Sequence, residues 1–334
     1  MRSKAFFING GAGRVICSIP AFERYAEKHD DFIIVCEGGM NFFKGHPILH
    51  KYAFDNWHKN LFEDYIKNRD CVTPEPYRQW HYYNQKCNIA QAFDLEINGL
   101  EEPRNLPAPK IKITKSEAIY ALNVIEEVKA KSGKDKVIVI QPFGRGVQVE
   151  GEYIIDPSSR SFHLSYIVDI INNLREDYGV VIMSEFQFPV DVDTSKIPCA
   201  WPQADIRVWA GIIEQADHFL GCDSVGQHIA KSVGTTVTAV IGSTYPENIS
   251  YPNDPMFDII DLGAEKRIFS PIRLTMEDYQ DMMNDECMEM TEEDIKKVIA
   301  SCRKRLGKPK KYSNENINQE KNTKTCCEPK GFGK

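Results

Sequence analysis

The sequence predicts an α/β protein of two units, each a parallel sheet covered by helices, facing each other across a cleft. Three observations predict it. The chain opens strand–turn–helix–strand within its first 36 residues. The same alternation of 4–6-residue apolar strands with helical segments recurs, more clearly, between 136 and 242. Between the two lies 101–110, where Pro103, Pro107 and Pro109 interrupt helix and strand alike and mark a boundary. The expected division is therefore an N-terminal Rossmann-like domain at 1–110, a C-terminal Rossmann-like domain at 111–307 and a disordered lysine-rich tail at 308–334.

Taken in order, 5–9 reads as a strand, followed by glycines and a helix from about Val15 to Lys28. Phe32–Cys36 is the second strand and stops at Glu37-Gly38-Gly39. Residues 53–70 read as a helix, with apolar Phe54, Trp57, Leu61, Phe62, Tyr65 and Ile66. Residues 77–98 read as a second, aromatic-rich one, its Trp80 and Tyr83 serving a core or domain face or, with Tyr77, His81 and Tyr82, stacking a sugar or a base. Beyond the prolines a helix runs from 116, with Ser116 as its cap and Glu117 too close for capping-box spacing. Strand 136–140 leads to a glycine- and serine-rich loop, then to helix 162–179 with Gly179 as C-cap. Strand 180–185, helix 205–216, strand 218–222, a helix from about Gln227 and strand 235–242 follow. The last helix starts at Thr291, with Asp294 at its third position and Arg303, Lys304 and Arg305 near its end.

Composition limits the function classes. The 334 residues are about twice a typical domain and supply ample apolar side chains for two cores. No apolar run is long enough for a membrane span, and the opening residues read as a strand and turn rather than a secretion signal. The formal charge is −7, but the tail carries seven lysines against three glutamates, so the body is more acidic still. An acidic body argues against broad nucleic-acid binding, though not against a local basic groove. The 10 cysteines are scattered without a CxxC pair, which points to buried free thiols in a reducing cytoplasm. No HExxH, GxSxG or GxxxxGK[ST] is present and no His/Cys cluster stands out, so no metal site is expected.

The candidate chemistry lies where strands end. Asp223 and Ser224 close an apolar strand, Gly226 permits close approach, and a helix begins at once, so its free N–H groups suit a phosphate or pyrophosphate. His228, four residues after Ser224, is placed to face the same anion. The alternative is a capping Asp223 and a His228 packed on the sheet. Gly242-Ser243-Thr244 after the next strand, and Gly144 with Arg145 and Gly146, repeat the pattern of small residues at a strand end. Arg145 and Arg160 each offer a rigid fork for a diphosphate, Arg160 the better placed because it precedes a helix. Gly10, Gly11 and Gly13 form a glycine turn without GxGxxG spacing, with Glu37 the acid that follows the second strand.

On these residues the chain resembles the lipopolysaccharide heptosyltransferase family. Asp223, Ser224 and His228 match its D-[ST]-x-x-x-H, and Gly242, Thr244 and Pro246 its G-x-[ST]-x-P. The opening loop and first helix, with Pro20, and QPFGRG with Arg160 before Phe162 are similar in outline. The likeness is strong over about 205–250, fair over 137–185 and thin over 40–120. It implies the GT-B fold and inverting transfer of a hexosyl or heptosyl group from a nucleotide-sugar donor, without a bound metal or other cofactor. Carried over, Asp223, Ser224, Gly226, His228 and Thr244 sit at the donor phosphates with Arg160, Gly11, Gly13 and Gly144 near by, and Glu185 at the nucleoside. One departure stands out. The family places an acid after the glycine of its first loop, as base for the acceptor; here Gly13 is followed by Arg14, which stays protonated. Glu37 is then the nearest replacement base, and Arg14 a group that neutralises the leaving diphosphate. The acceptor is open: a glycan, a protein or a modified nucleic-acid base. A non-catalytic nucleotide- or glycan-binding protein on the same scaffold, and an epimerase or phosphorylase of similar shape, are the alternatives.

Overall fold

The computed structural model describes residues 3–151, 153–267 and 285–313. The N-terminal sheet is parallel, with β1 (Lys4–Ile8), β2 (Phe32–Cys36), β3 (Ala53–Asp55) and β4 (Asp70–Val72) in the order β3-β2-β1-β4. Alternation along β1 and β2 divides its two faces. Phe6, Ile8, Phe32 and Ile34 meet α1 (Ala12–Ala26) and, beyond the short α2 (Trp80–Tyr83), α3 (Ile89–Asn98); Ala5, Ile33 and Val35 meet Phe54, Leu61, Tyr65 and Ile66.

The helix expected over 53–70 is instead β3, a π-turn at Phe62–Ile66 and β4. Its apolar residues are those of a lid on the outer sheet face, and Asn60 and Asn68 take left-handed conformations that interrupt a helix. The helix expected over 77–98 is likewise broken. Gln85 is left-handed, and Asn88 with Gln91 forms a capping box that starts α3 afresh. Trp80 and Tyr83, expected in a core or domain face, are exposed, whereas Tyr82 is buried.

From α3 the chain crosses in extended form: Arg104 pairs with Asp94 of α3, and Lys112 O accepts from Arg207 of the second unit. There α4 (Lys115–Ser132) begins with Thr114, not Ser116, as its cap. Counting from Thr114, Glu117 has capping-box spacing, and it also pairs with buried Arg207.

The second sheet, also parallel, has the order β11-β10-β9-β5-β8, with β5 (Val137–Gln141), β8 (Gly179–Ile182), β9 (His218–Gly221), β10 (Val237–Ile241) and β11 (Phe257–Asp261). An antiparallel hairpin, β6 (Gln148–Glu150) and β7 (Tyr153–Ile155), occupies the glycine-rich loop. One face carries α4, α6 (Ile206–Gln215) and α7 (Val225–Val233). The other carries α5 (Leu164–Leu174) and, after the short α8 (Pro246–Ile249), α9 (Glu292–Leu306). Gly179 is not the cap of α5 but the first residue of β8. A Cβ there would lie 2.7 Å from Val128, so the glycine lets α4 approach the strand.

The first core does not end at the boundary. It runs from β1 through α1 and α7 into the second sheet, and Asn248 donates to the carbonyls of Tyr82 and Cys87. Of the tail expected to be disordered from 308, the first residues are fastened: Lys311 bridges to Lys134, and Tyr312 donates to Glu126 at 2.6 Å. Residues 314–334 lie outside the described residues. Among the described residues eight cysteines are free, seven of them buried. No described helix is long and apolar enough to cross a membrane.

Candidate active site

An open cleft of about 1280 Å³ lies between the carboxyl ends of the two sheets. Asn9 to Arg14, Glu37 to Gly39 and Asn56 line one wall. Gln141, Phe143 to Arg145, Met183 to Phe186 and Asp223 to Val225 line the other. Its volume exceeds the roughly 300–1,000 Å³ of a typical single-ligand pocket.

Two helix N-termini converge on this cleft. α1 starts after Gly11 and α7 after Ser224, and neither N-cap residue makes a side-chain cap bond, although Gln141 takes the Gly226 N–H of α7. They meet closely: a Cβ at Gly13 would lie 3.3 Å from the His228 ring and 3.8 Å from Val225 Cα. Both ends present partial positive charge and N–H donors, the arrangement that receives an anion. Gln141, at the end of β5, fixes the second turn. Its Nε2 donates to Ser224 Oγ (3.1 Å) and its Oε1 accepts from Gly226 N (2.9 Å). Gly226 therefore packs on the sheet instead of lining the cleft; a Cβ there would fall 2.3 Å from Gln141 and Phe219.

Asp223 is buried, and both of its oxygens are occupied. Oδ2 accepts from Thr244 Oγ1 (2.9 Å) and faces Arg160 Nη1 (3.7 Å); Oδ1 accepts from Gln227 (3.3 Å). Burial raises its pKa against the opposing pull of Arg160 and Thr244. Thr244, expected at the donor phosphates, is fully buried behind Asp223 and acts on that carboxylate. The Gly242 loop, expected to approach a ligand, packs on Met288 and Ser159. Arg160 is held by Ser158 Oγ on its Nε (2.9 Å), which leaves the fork at the cleft. Asp156 organises this loop by accepting from Ser158 and Ser161. Burial works against its charge, but those hydrogen bonds prevail and lower its pKa.

His228 lies at the seam between α1 and α7. Its Nδ1 is 3.0 Å from Tyr251 Oη and 3.5 Å from Cys17 Sγ. Burial pulls its pKa down to about 4, so the ring is neutral at pH 7. His228 lines the cleft, and no described residue hydrogen-bonds its Nε2.

Arg14, expected at a leaving diphosphate, lines the cleft but is engaged within the N-terminal unit. Its guanidinium turns back into the N-terminal unit, paired with Glu75 (3.3 Å), donating to Pro74 O and lying 4.9 Å from the Tyr77 ring and 5.6 Å from Phe93. Glu37 stands exposed at the cleft, its carboxylate accepting from Gly10 N. Gly11 faces Arg145 across the cleft, with Nη1 3.7 Å from where its Cβ would be. Gly144 lines the wall, its N–H donating to Ser161 Oγ (2.9 Å), and exposed Glu185 lines the end beyond β8. Among the described residues no group of three or more His, Cys, Asp or Glu side chains is placed to hold a metal ion.

The residues that sequence reasoning missed are the supports Tyr251, Cys17 and Glu75; Gln141 stands in a candidate segment, but not for its hold on the α7 turn. Each of the four acts on a cleft residue at least 23 positions away, a separation at which spacing carries no signal.

No family profile and no curated protein matches the chain by sequence. Solved structures do share its fold. The ADP-heptose lipopolysaccharide heptosyltransferase II of E. coli superposes with a TM-score of 0.57 at 11% identity, over 90% of this chain and 99% of that one. A family 9 glycosyl transferase from Veillonella parvula DSM 2008 gives 0.55 at 12%, over 78% and 85%. The iron-containing dodecameric glycosyltransferase TibC from enterotoxigenic E. coli H10407 gives 0.53 at 12%, over 91% and 79%. At such identities the likeness establishes the fold, the two-sheet α/β arrangement of glycosyltransferases.

Proposed function

We propose that the chain is an enzyme that moves a sugar from a nucleoside-diphosphate donor to a hydroxyl acceptor, with inversion and without a metal on the pyrophosphate. The observation that carries this reading is the meeting of two helix N-termini whose N-cap residues make no side-chain cap bond, beside Arg160, at the carboxyl ends of facing sheets. The donor diphosphate lies at Ser224 and Val225, with Arg160 and Arg145 neutralising the charge that grows on it. The nucleoside extends toward Met183 to Phe186, with Glu185 at its ribose or base. The acceptor enters from the Glu37 side.

Glu37 is the base. It is exposed at the cleft and oriented by Gly10 N–H. Asp223 is unsuited to the task because both of its oxygens are engaged. The acceptor O–H gives its proton to Glu37 as the oxygen bonds the anomeric carbon. The bond from that carbon to the diphosphate breaks, and its electron pair leaves with the phosphate. Attack comes from the face opposite the leaving group, so the configuration inverts. Closure of the two walls excludes water, the competing acceptor.

The test is acceptor-dependent release of nucleoside diphosphate from ADP-, GDP- and UDP-sugars over glycan, protein and nucleic-acid acceptors, with the anomeric configuration of the product read by NMR. An inverted glycoside is expected. A retained configuration would rule out direct displacement, and no transfer to any acceptor despite tight donor binding favours a binding protein.

A further inference from the structure

We propose that Tyr251 is a positioning residue that holds His228 in its Nε2–H tautomer, so that a neutral imidazole turns a hydrogen-bond donor, not an acceptor, toward the cleft. The inference rests on the donor reading above only for what that donor meets; the tautomer itself is a property of the free protein.

The geometry fixes which nitrogen is which. Nδ1 faces two groups that both carry a proton, the Tyr251 hydroxyl at 3.0 Å and the Cys17 thiol at 3.5 Å. Burial pushes the phenol well above its ordinary value and the thiol up to about 12, so both stay protonated at pH 7. The imidazole has one acceptor nitrogen and one donor nitrogen. A phenol O–H is a stronger acid than an imidazole N–H, and an sp² ring nitrogen is a better acceptor than a phenol oxygen or a thiol sulfur. The favourable pairing is O–H to Nδ1, which leaves the ring proton on Nε2. The reverse assignment would oblige the phenol to send its own proton to Cys17 sulfur, a weak acceptor.

Tyr251 is itself held rigidly. Its ring packs 4.9 Å from Phe257, and Lys231 Nζ lies 5.4 Å from its centroid. His228 is fixed from the opposite side by the close approach of Gly13. An Nε2–H donor beside the N-terminus of α7 adds to the N–H groups that face an oxyanion. Because the ring is neutral, it does so without a charge that would also hold the released product. Sequence spacing links His228 to Ser224; the partner that decides the proton lies 23 residues on, beyond a strand and a short helix.

The test reads the tautomer first. Nitrogen-15 NMR of the ligand-free full chain, with the His228 signals identified by their loss in His228→Ala, should show Nδ1 unprotonated and Nε2 protonated at pH 7. In Tyr251→Phe, which keeps the ring packing, a measurable share of Nδ1–H should appear, and kcat/KM for the donor should fall roughly three- to tenfold, as expected for a lost orienting hydrogen bond. That loss should vanish when Tyr251→Phe is made in His228→Ala. Nδ1–H as the main form of the wild-type protein overturns the assignment whether or not Tyr251→Phe folds, as does an unchanged tautomer in a folded Tyr251→Phe. An Nε2–H ring in a protein that binds no nucleotide upholds the assignment and contradicts the donor reading instead.

Discussion

The guanidinium of Arg14, a residue that lines the cleft, is paired with the carboxylate of Glu75, 3.3 Å away. The residue follows the glycine turn at the mouth of the cleft, yet its charge lies in a pocket of Glu75, Pro74, Tyr77 and Phe93. Arg14 thus lines the cleft while its charge is paired within the N-terminal unit.

The first prediction concerns stability. Arg14→Met removes a mostly buried cation and strands Glu75, which is partly open to water. The cost should be about 1–3 kcal/mol, below that of a fully buried pair because water reaches the remaining carboxylate. Urea unfolding measures it. Nucleotide affinity should stay within about threefold of wild type; a loss as large as that from an Arg160 variant would return Arg14 to the leaving group.

Glu37→Gln separates binding from chemistry. Removal of a general base costs about 10²–10⁴ in rate, whereas an exposed carboxylate on the acceptor side contributes little to donor affinity. The expected outcome is transfer lowered by that factor with the donor Kd unchanged. Transfer within about threefold of wild type would assign the proton to another group.

Arg160→Ala should weaken nucleoside-diphosphate binding by about ten- to a hundredfold, the range of a charge-assisted hydrogen bond. Thr244→Val should act indirectly, since the hydroxyl touches Asp223 and not the cleft. It should lower stability by about 1–2 kcal/mol and leave donor specificity unchanged, a contrast that calorimetry and competition binding resolve together.

The pH dependence has a definite sign. His228 titrates near 4 in the folded protein against 6.5 ordinarily. Between those values the unfolded chain binds a proton that the folded chain does not. Its contribution is therefore complete above pH 6.5 and is lost as the pH falls toward 4, by up to about 3 kcal/mol. His218, buried between Thr236 and Thr238 and pushed down to about 3, adds in the same direction. Asp223, raised by burial, acts in the opposite direction, so the comparison of wild type with His228→Gln isolates the histidine. Unfolding free energies at pH 7.5 and 5 should fall further for wild type than for the variant; equal slopes would mean that the ring is not buried as neutral imidazole.

Much of this was legible in the sequence where physics is local. The strands of the second unit are short, apolar and buried on both faces, so their composition alone gives them away. Strand ends then mark the cleft, which is why Asp223, Ser224, Arg160 and Glu37 could be placed beside it. The failures are equally physical. The 53–70 segment has helical spacing because its apolar residues cover a sheet face, a demand that comes from tertiary packing and not from a helix. Thr244 follows a strand end and Gly226 lies in the first turn of α7, yet both turn inward, and Arg14 is paired with a glutamate 61 positions away.

The central claim is a diphosphate site at the N-terminus of α7. Its most direct test is thermal unfolding of the wild-type chain and of Arg160→Ala with ADP-, GDP-, UDP- and CMP-linked sugars. Binding to the folded state alone adds about 2.7 kcal/mol at a hundred times Kd, a shift of several degrees for a chain of this size. One nucleoside-diphosphate class should raise the wild-type midpoint, and Arg160→Ala should remove most of that rise. A folded wild-type protein whose midpoint moves with none of them would contradict the account.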